Sequence, residues 1–149
     1  MVSNDLNFLE ALVYLSKKDK ILEKVIKGIK PKEPEKREPN FEALVRIISG
    51  QQLSSAAAST IFNRLKEFIG KNKITPQLIN NCNPQQILKC GLSNAKTQYI
   101  LNLSDLFLAE PNFLNELKDK ESNEIIEGLQ KFKGIGIWSA SIFALFYLN

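Results

Sequence analysis

Apolar residues recur three or four positions apart along most of the chain, the spacing that gathers them on one face of an α-helix. The first two stripes comprise Phe8, Leu9, Leu12 and Leu15, and then Ile21, Leu22, Val25 and Ile26. No segment alternates apolar and polar residues for long enough to require a half-buried strand. The pattern therefore predicts an all-α protein.

Capping residues predict where the later helices begin. Asn40 and Ser93 each precede an apolar helical stripe, and Ser54 or Ser55 opens a long one. Thr75-Pro76 and Asn83-Pro84 each combine a cap with proline at the first helical position. Three glycines follow such stripes and predict helix ends: Gly50, Gly70 and Gly91.

The segment 30–39 is rich in proline and charge. Three prolines among charged residues cannot hold a helix, so we expect an exposed connector. The roughly 30 residues before it are too few to fold alone. We therefore expect one domain, 1–149, with the connector inside it.

Composition excludes several kinds of chemistry. The chain has 149 residues and no histidine, which rules out histidine-based triads and histidine-ligated zinc. No secretory signal pattern opens the sequence, and the apolar run 135–148 is too short to span a membrane, so we expect an intracellular protein without a membrane partner. In that setting Cys82 and Cys90 are expected to be buried thiols, with a disulfide as the alternative.

Positive charge is concentrated in two blocks. The net charge is +4, but residues 43–104 hold seven basic side chains against the single acid Glu67. Residues 105–127 are acidic, and residues 128–149 carry Lys131 and Lys133 and no acid. The asymmetry fits one face turned toward a polyanion. Ordinary solvated lysines remain the alternative.

The most informative segment is 129–140, where one helix runs into Gly134-Ile135-Gly136 and a second helix leaves at once. Glycines permit a sharp turn and leave amide N–H groups bare at the start of the outgoing helix. Such amides commonly bind a phosphate, which points to a clamp on the DNA backbone. A tight helix connection that binds nothing is the alternative.

Three segments together resemble a known family: 41–54 (FEALVRIISGQQLS), 91–100 (GLSNAKTQYI) and 129–140 (LQKFKGIGIWSA). In this order they resemble the helix-hairpin-helix (HhH-GPD) DNA glycosylase superfamily, in its 3-methyladenine (AlkA-like) branch. The resemblance covers roughly residues 5–149. It implies a compact multi-helix glycosylase fold whose C-terminal helices would follow Asn149.

The resemblance also implies a function in base excision DNA repair. Such a protein hydrolyses the N-glycosidic bond of alkylated purines after flipping the base out of the duplex. Its partner would be double-stranded DNA carrying a damaged base, and it would act as a monomer.

By the same resemblance the hairpin binds the DNA backbone. The amides around Gly134, Gly136 and Ser139 would grip a phosphate, and Lys131 and Lys133 would add charge. Lys133 stands where family hairpins often have proline, so the turn is expected to be looser or to gain a phosphate contact. The family also holds a Na⁺ or K⁺ ion through hairpin carbonyls, which here belong to Gln130, Phe132 and Ile135.

Gln51, Gln52 and Leu53 lie at the family's wedge loop, where Gln52 would fill the gap left by the flipped base and Leu53 could share that role. The alternative is that the two glutamines simply cap a helix junction. Ser93 is expected to cap its helix, and Lys96 is interpreted as a surface charge.

Trp138 occupies the position at which strand-nicking relatives hold a nucleophilic lysine. Tryptophan cannot form a Schiff base but can stack on an electron-poor alkylated base, so the resemblance implies a base-pocket residue and an enzyme without lyase activity. A tryptophan of the hydrophobic core is the alternative.

The catalytic residue is not identified among the 149 residues. The family's aspartate is expected after Asn149, and Glu42 and Asp105 are poor substitutes by position. The alternatives are a non-catalytic DNA-binding module and a fragment that requires a partner chain to complete its fold. An in-frame aspartate codon shortly after the Asn149 codon would favour the enzyme.

Overall fold

The structure is a computed structural model that describes residues 8–33, 35, 37–70 and 73–148. The described residues are mostly helical and include no β-strand, which confirms the all-α prediction. The helices are α1 Phe8–Lys18, α2 Lys20–Ile29, α3 Phe41–Gly50, α4 Ser55–Ile69, α5 Pro76–Asn80, α6 Pro84–Lys89, α7 Asn94–Ala109, α8 Phe113–Lys118, α9 Ser122–Gln130 and α10 Ile137–Phe143, which continues as a π-helical turn, Ala144–Leu148.

The chain divides into two compact units, with the boundary between residues 35 and 36. The prediction of one domain over 1–149 stays a prediction. In the connector the described residues have no regular secondary structure, and most are exposed.

The first unit is a pair of helices, α1 and α2, that pack on each other. Asp19 caps α2 by accepting hydrogen bonds from the amides of Ile21 (2.7 Å) and Leu22 (3.1 Å). Neither helix has a buried residue within this described unit.

The second unit contains the hydrophobic core. Helix α3 packs against α4, α7 and α10, and α9 packs against α8 and α10. Fully buried side chains come from seven helices of this unit and include Leu44, Phe62, Ile100, Leu129 and Phe143. The loop after α3 lies beside the hairpin before α10, because the Gln51 side chain reaches the Gly134 carbonyl.

The predicted caps are confirmed in detail. Asn40, Ser54, Thr75, Asn83 and Ser93 each accept a hydrogen bond from an amide in the first turn of the helix that follows. The structure thereby decides for Ser54 as the cap of α4. Polar side chains at these positions supply partners for amides that a helix cannot satisfy itself.

Glu42 adds a polar tie inside the second unit. Its carboxylate accepts the Ile74 amide at 2.7 Å and the Lys66 ammonium at 3.1 Å. These bonds connect α3 to α4 and to the segment before α5.

Both cysteines are free thiols. Cys90 is buried as expected, whereas Cys82 is only half-buried. Burial raises the pKa of both thiols.

Candidate functional site

The hairpin joins α9 to α10 through residues 131–136, and it requires glycine at one position only. Gly134 has φ +95°, and a Cβ atom there would overlap the ring of Tyr99. Gly136 has φ −86° with open space around it, so any residue can adopt its backbone conformation. The sharp turn therefore depends on Gly134 and on the aromatic ring packed beneath it.

Helix α10 begins without a side-chain cap. Gly136 stands at the cap position in extended conformation, and its carbonyl accepts the Ala140 amide at 3.0 Å. No cap side chain bonds the first amides of α10 in this described region, as the sequence predicts. Gly136, Lys131 and Lys133 are all exposed beside it.

The Ser139 side chain points into the protein. It is 4% exposed, and its hydroxyl accepts a hydrogen bond from Gln51 Nε2 at 3.0 Å. The same nitrogen donates to the Gly134 carbonyl at 2.6 Å. Gln51 thus joins the loop after α3 to the hairpin, an arrangement that neither predicted role of the glutamine included.

The tip of that loop is exposed. Gln52 adopts a left-handed conformation with φ +57°, which is uncommon for a residue other than glycine. The neighbouring Leu53 side chain is 41% exposed, although it is apolar. The loop therefore presents one polar and one apolar side chain beside the hairpin.

Lys96 is not the surface charge expected from the sequence. Its ammonium donates to the carbonyls of Ser49 (2.9 Å) and Gln51 (2.7 Å), at the C-terminal end of α3. Burial lowers the pKa of this lysine. The interpretation was wrong because the partners are backbone atoms 45 and 47 residues away, which no local pattern reveals.

Trp138 is 65% exposed, so the alternative of a core tryptophan is wrong. Its indole lines an open cleft of about 360 Å³ between α3, α4 and the C-terminal helix. Other residues of the lining are Arg37, Arg46, Gly50, Phe146 and Tyr147.

Two arginines give the cleft a positive charge. The Arg46 guanidinium lies 4.7 Å from the centre of the Phe62 ring, and Arg37 lies 6.0 Å from the rings of both Phe146 and Tyr147. The described lining of the cleft holds neither a carboxylate nor a lysine. Sequence reasoning assigned neither arginine to a site, because Arg37 lies in the connector and Arg46 entered only the count of basic residues in 43–104.

The two acids considered as substitutes for the catalytic aspartate lie elsewhere. Glu42 is engaged with Lys66 and the Ile74 amide, and Asp105 is exposed on α7. The aspartate position expected after Asn149 lies outside the described residues.

The predicted carbonyl site for a monovalent cation has a compatible donor set. The Phe132 carbonyl accepts the Ile135 amide at 3.0 Å and retains a second lone pair. Within the described residues no backbone amide bonds the carbonyls of Gln130 and Ile135. Neutral oxygens of this kind suit Na⁺ or K⁺, so the residues fit the ion.

Comparison with known families identifies a matching superfamily. Residues 45–137 match the family described as HhH-GPD superfamily base excision DNA repair protein. The matched range includes the loop after α3, the start of α7 and the hairpin.

Two curated relatives are similar over much of the chain. The DNA-3-methyladenine glycosylase 1 of Schizosaccharomyces pombe is 32% identical over 146 residues, which cover 94% of this chain and 64% of that protein. The DNA-3-methyladenine glycosylase 2 of Escherichia coli is 29% identical over 114 residues, or 70% of this chain and 40% of that protein. The chain thus spans less than two thirds of either relative.

A solved structure shares the fold. The S. pombe 3-methyladenine DNA glycosylase in complex with abasic DNA superposes with a TM-score of 0.83 at 28% identity, covering 94% of this chain and 70% of that one. Separately, no helix in the described part of the chain is long and apolar enough to cross a membrane.

Proposed function

Because the chain belongs to the HhH-GPD superfamily of base excision DNA repair proteins, we propose that it removes alkylated purines from double-stranded DNA. The reaction is hydrolysis of the N-glycosidic bond after the damaged base has been flipped out of the duplex. The relatives named as 3-methyladenine glycosylases support this choice of substrate class.

The observation that carries the proposal is the exposed indole of Trp138 on the wall of an open cleft. A cleft of about 360 Å³ lies within the usual size range of small-molecule sites, about 300–1,000 Å³. An aromatic face in such a cleft can stack on an extruded base, which has no other partner once it leaves the duplex.

The neighbouring elements supply the contacts that base extrusion needs. Gln52 and Leu53, exposed at the loop tip, would enter the space that the base vacates. The uncapped amides near Gly136, with Lys131 and Lys133, would bind the backbone phosphates. All of these contacts must act on one stretch of DNA, because the extruded base, the gap that it leaves and the bound phosphates are neighbours in the same duplex.

A monovalent cation held by the carbonyls of Gln130, Phe132 and Ile135 would add positive charge beside the same phosphate. The chain's own contribution would be these neutral carbonyl oxygens, which belong to the end of α9 and to the turn that Gly134 makes. If the ion contributes, replacing K⁺ by tetramethylammonium at equal ionic strength should weaken DNA binding. Equal affinity in both salts would contradict the ion site.

The chemistry we propose is base release by water, without strand cleavage. Trp138 cannot form the Schiff base that a lysine would form at this position, and the described lining of the cleft offers no lysine in its place. Borohydride treatment during the reaction should therefore trap no covalent complex with DNA. A trapped complex would refute the monofunctional reaction.

The principal test is release of 3-methyladenine from methylated duplex DNA by wild type, Trp138→Ala and Ile137→Ala. Ile137 is a matched control, because it adjoins Trp138, is similarly exposed (67%) and does not line the cleft. Loss of stacking on one base predicts that Trp138→Ala releases the base about 5- to 150-fold more slowly than wild type. Equal losses in both variants would refute the role of the indole.

The non-catalytic alternative has its own signature. Binding to duplex DNA that weakens steeply with salt, without release of any base, would leave a DNA-binding function and exclude catalysis by this chain. We also propose that the protein acts as a monomer on intracellular DNA. Sedimentation with and without duplex tests the monomer.

A further inference from the structure

Four side-chain hydrogen bonds join segments that are far apart in sequence. Gln51 Nε2 donates to the Gly134 carbonyl (2.6 Å) and to the Ser139 hydroxyl (3.0 Å). Lys96 Nζ donates to the carbonyls of Ser49 (2.9 Å) and Gln51 (2.7 Å). One continuous network thus connects the start of α7, the loop after α3 and the hairpin.

Lys96 is well suited to hold the end of α3. The last carbonyls of a helix lack intrahelical partners and carry partial negative charge, so an ammonium there is favourable. Ser49 is fully buried, and the lysine is itself half-buried, which lowers its pKa. The ammonium is therefore committed to these carbonyls and is a poor candidate for contact with a phosphate.

Gln51 transmits that attachment to the hairpin. Its backbone carbonyl is held by Lys96, while its side chain holds the hairpin at Gly134, the residue with φ +95°. The next two residues form the exposed tip, which has one local backbone bond, from the Leu53 amide to the Gly50 carbonyl at 3.2 Å. The position of the tip relative to the hairpin therefore depends on residue 51.

We propose that Lys96 and Gln51 are positioning residues that hold the loop tip and the hairpin as one rigid DNA-binding edge. This inference rests on the proposed function, since it assigns these two elements to one stretch of DNA. Neither side chain touches DNA. They act by fixing the tip before DNA binds, so that the tip loses less conformational entropy on binding.

The test uses Lys96→Met and Gln51→Leu, which remove the donors and keep most of the side-chain volume. Lys118→Met, at an exposed lysine of α8, is the control for loss of one charge. The probe is a duplex with an abasic site beside 2-aminopurine, whose fluorescence rises when the tip enters and unstacks it. An undamaged duplex measures binding to phosphates alone.

Both variants should bind the abasic duplex about tenfold more weakly or worse and lose most of the fluorescence gain, as expected when a supporting contact is removed. The salt dependence of binding to undamaged duplex should stay unchanged, because no phosphate contact is lost. Lys96→Arg should recover part of the effect, and the double variant should be no worse than the stronger single variant. Lys118→Met should behave as wild type.

Two results would overturn the proposal. If Lys96→Met lowers the salt slope by about one and weakens binding equally on both duplexes, the lysine contacts phosphate directly. If both variants bind the abasic duplex like wild type, the network positions nothing.

Amide hydrogen exchange without DNA separates this proposal from the proposed function. Either substitution should accelerate exchange in both 50–54 and 133–136, because the two segments are coupled through residue 51. Acceleration confined to one segment would refute the coupling, even if the wild-type chain bound no DNA. If the wild-type chain does not bind duplex DNA but exchange accelerates in both segments, only the proposed function is refuted.

Discussion

Substitution of Gly134 by alanine should destabilise the second unit more than any other glycine substitution in the hairpin. Two costs combine at this position. A left-handed φ of +95° costs a residue with a Cβ atom about 1–2 kcal/mol. The new methyl group also overlaps the Tyr99 ring, and overpacking of this kind costs about 1–3 kcal/mol. Together they predict a loss of about 2–5 kcal/mol in the free energy of unfolding.

Two other glycines in the same unit separate these costs. Gly70 has φ +66° with open space around it, so Gly70→Ala should lose only the backbone part, about 1–2 kcal/mol. Gly136 has φ −86° and open space, so Gly136→Ala should change stability by less than about 1 kcal/mol. From the most to the least stable, the expected order is Gly136→Ala, Gly70→Ala and Gly134→Ala.

Urea unfolding followed by circular dichroism at 222 nm measures this order. With a slope of about 2 kcal/mol per molar urea, Gly134→Ala should lower the midpoint by about 1 M or more. A double-mutant cycle with Tyr99→Ala removes the ring atoms but keeps the Tyr99 Cβ, which lies 2.9 Å from the new methyl position. In that cycle the Gly134→Ala loss should shrink but stay above that of Gly70→Ala. Additive losses in that cycle, or equal losses for Gly134→Ala and Gly136→Ala, would falsify the reasoning.

Three further predictions concern residues away from the hairpin. Glu42→Ala should lower the free energy of unfolding by about 1–3 kcal/mol, because it leaves the Ile74 amide without its acceptor. Glu42→Gln retains an oxygen and should lower it less, so equal losses in urea unfolding would argue against that bond. The Cys90 thiol should react with a disulfide reagent at pH 8 far more slowly than free cysteine, since the side chain is 6% exposed and burial raises its pKa. Full reactivity in the native state would contradict its burial. Gly28 lies inside α2 with open space around it, so Gly28→Ala should stabilise that helix by about 0.5–1 kcal/mol. The circular dichroism signal of the helices should rise or stay unchanged, and its loss would refute the placement of Gly28 inside a helix.

The helices and most of their ends were predictable from the sequence, because the signals involved are local. A cap such as Asn40 or Ser93 satisfies amides within its own first turn, and a glycine such as Gly70 ends a helix through its own φ. The segments 41–54, 91–100 and 129–140 also indicated the family, because their residue types recur in a recognisable order. The family match over residues 45–137 confirms that identification.

The roles of single side chains at the site depended on distances that the sequence does not contain. Lys96 was interpreted as a surface charge, yet it bonds carbonyls at the far end of α3. Trp138 was left open between core and pocket, and only its exposure in the folded chain decides against the core. The arginines of the cleft, Arg37 and Arg46, were not assigned to the site.

Taken alone, the sequence determined the helical class, the helix starts and the family, since periodicity, capping and motif order act over a few residues. The tertiary structure alone decided which residues of the site meet. Gln51 reaches Gly134 across 83 positions of sequence, and the Tyr99 ring fills the space that makes Gly134 necessary. Such contacts arise when several helices share one core, because packing, rather than chain neighbourhood, sets which atoms lie within hydrogen-bonding distance.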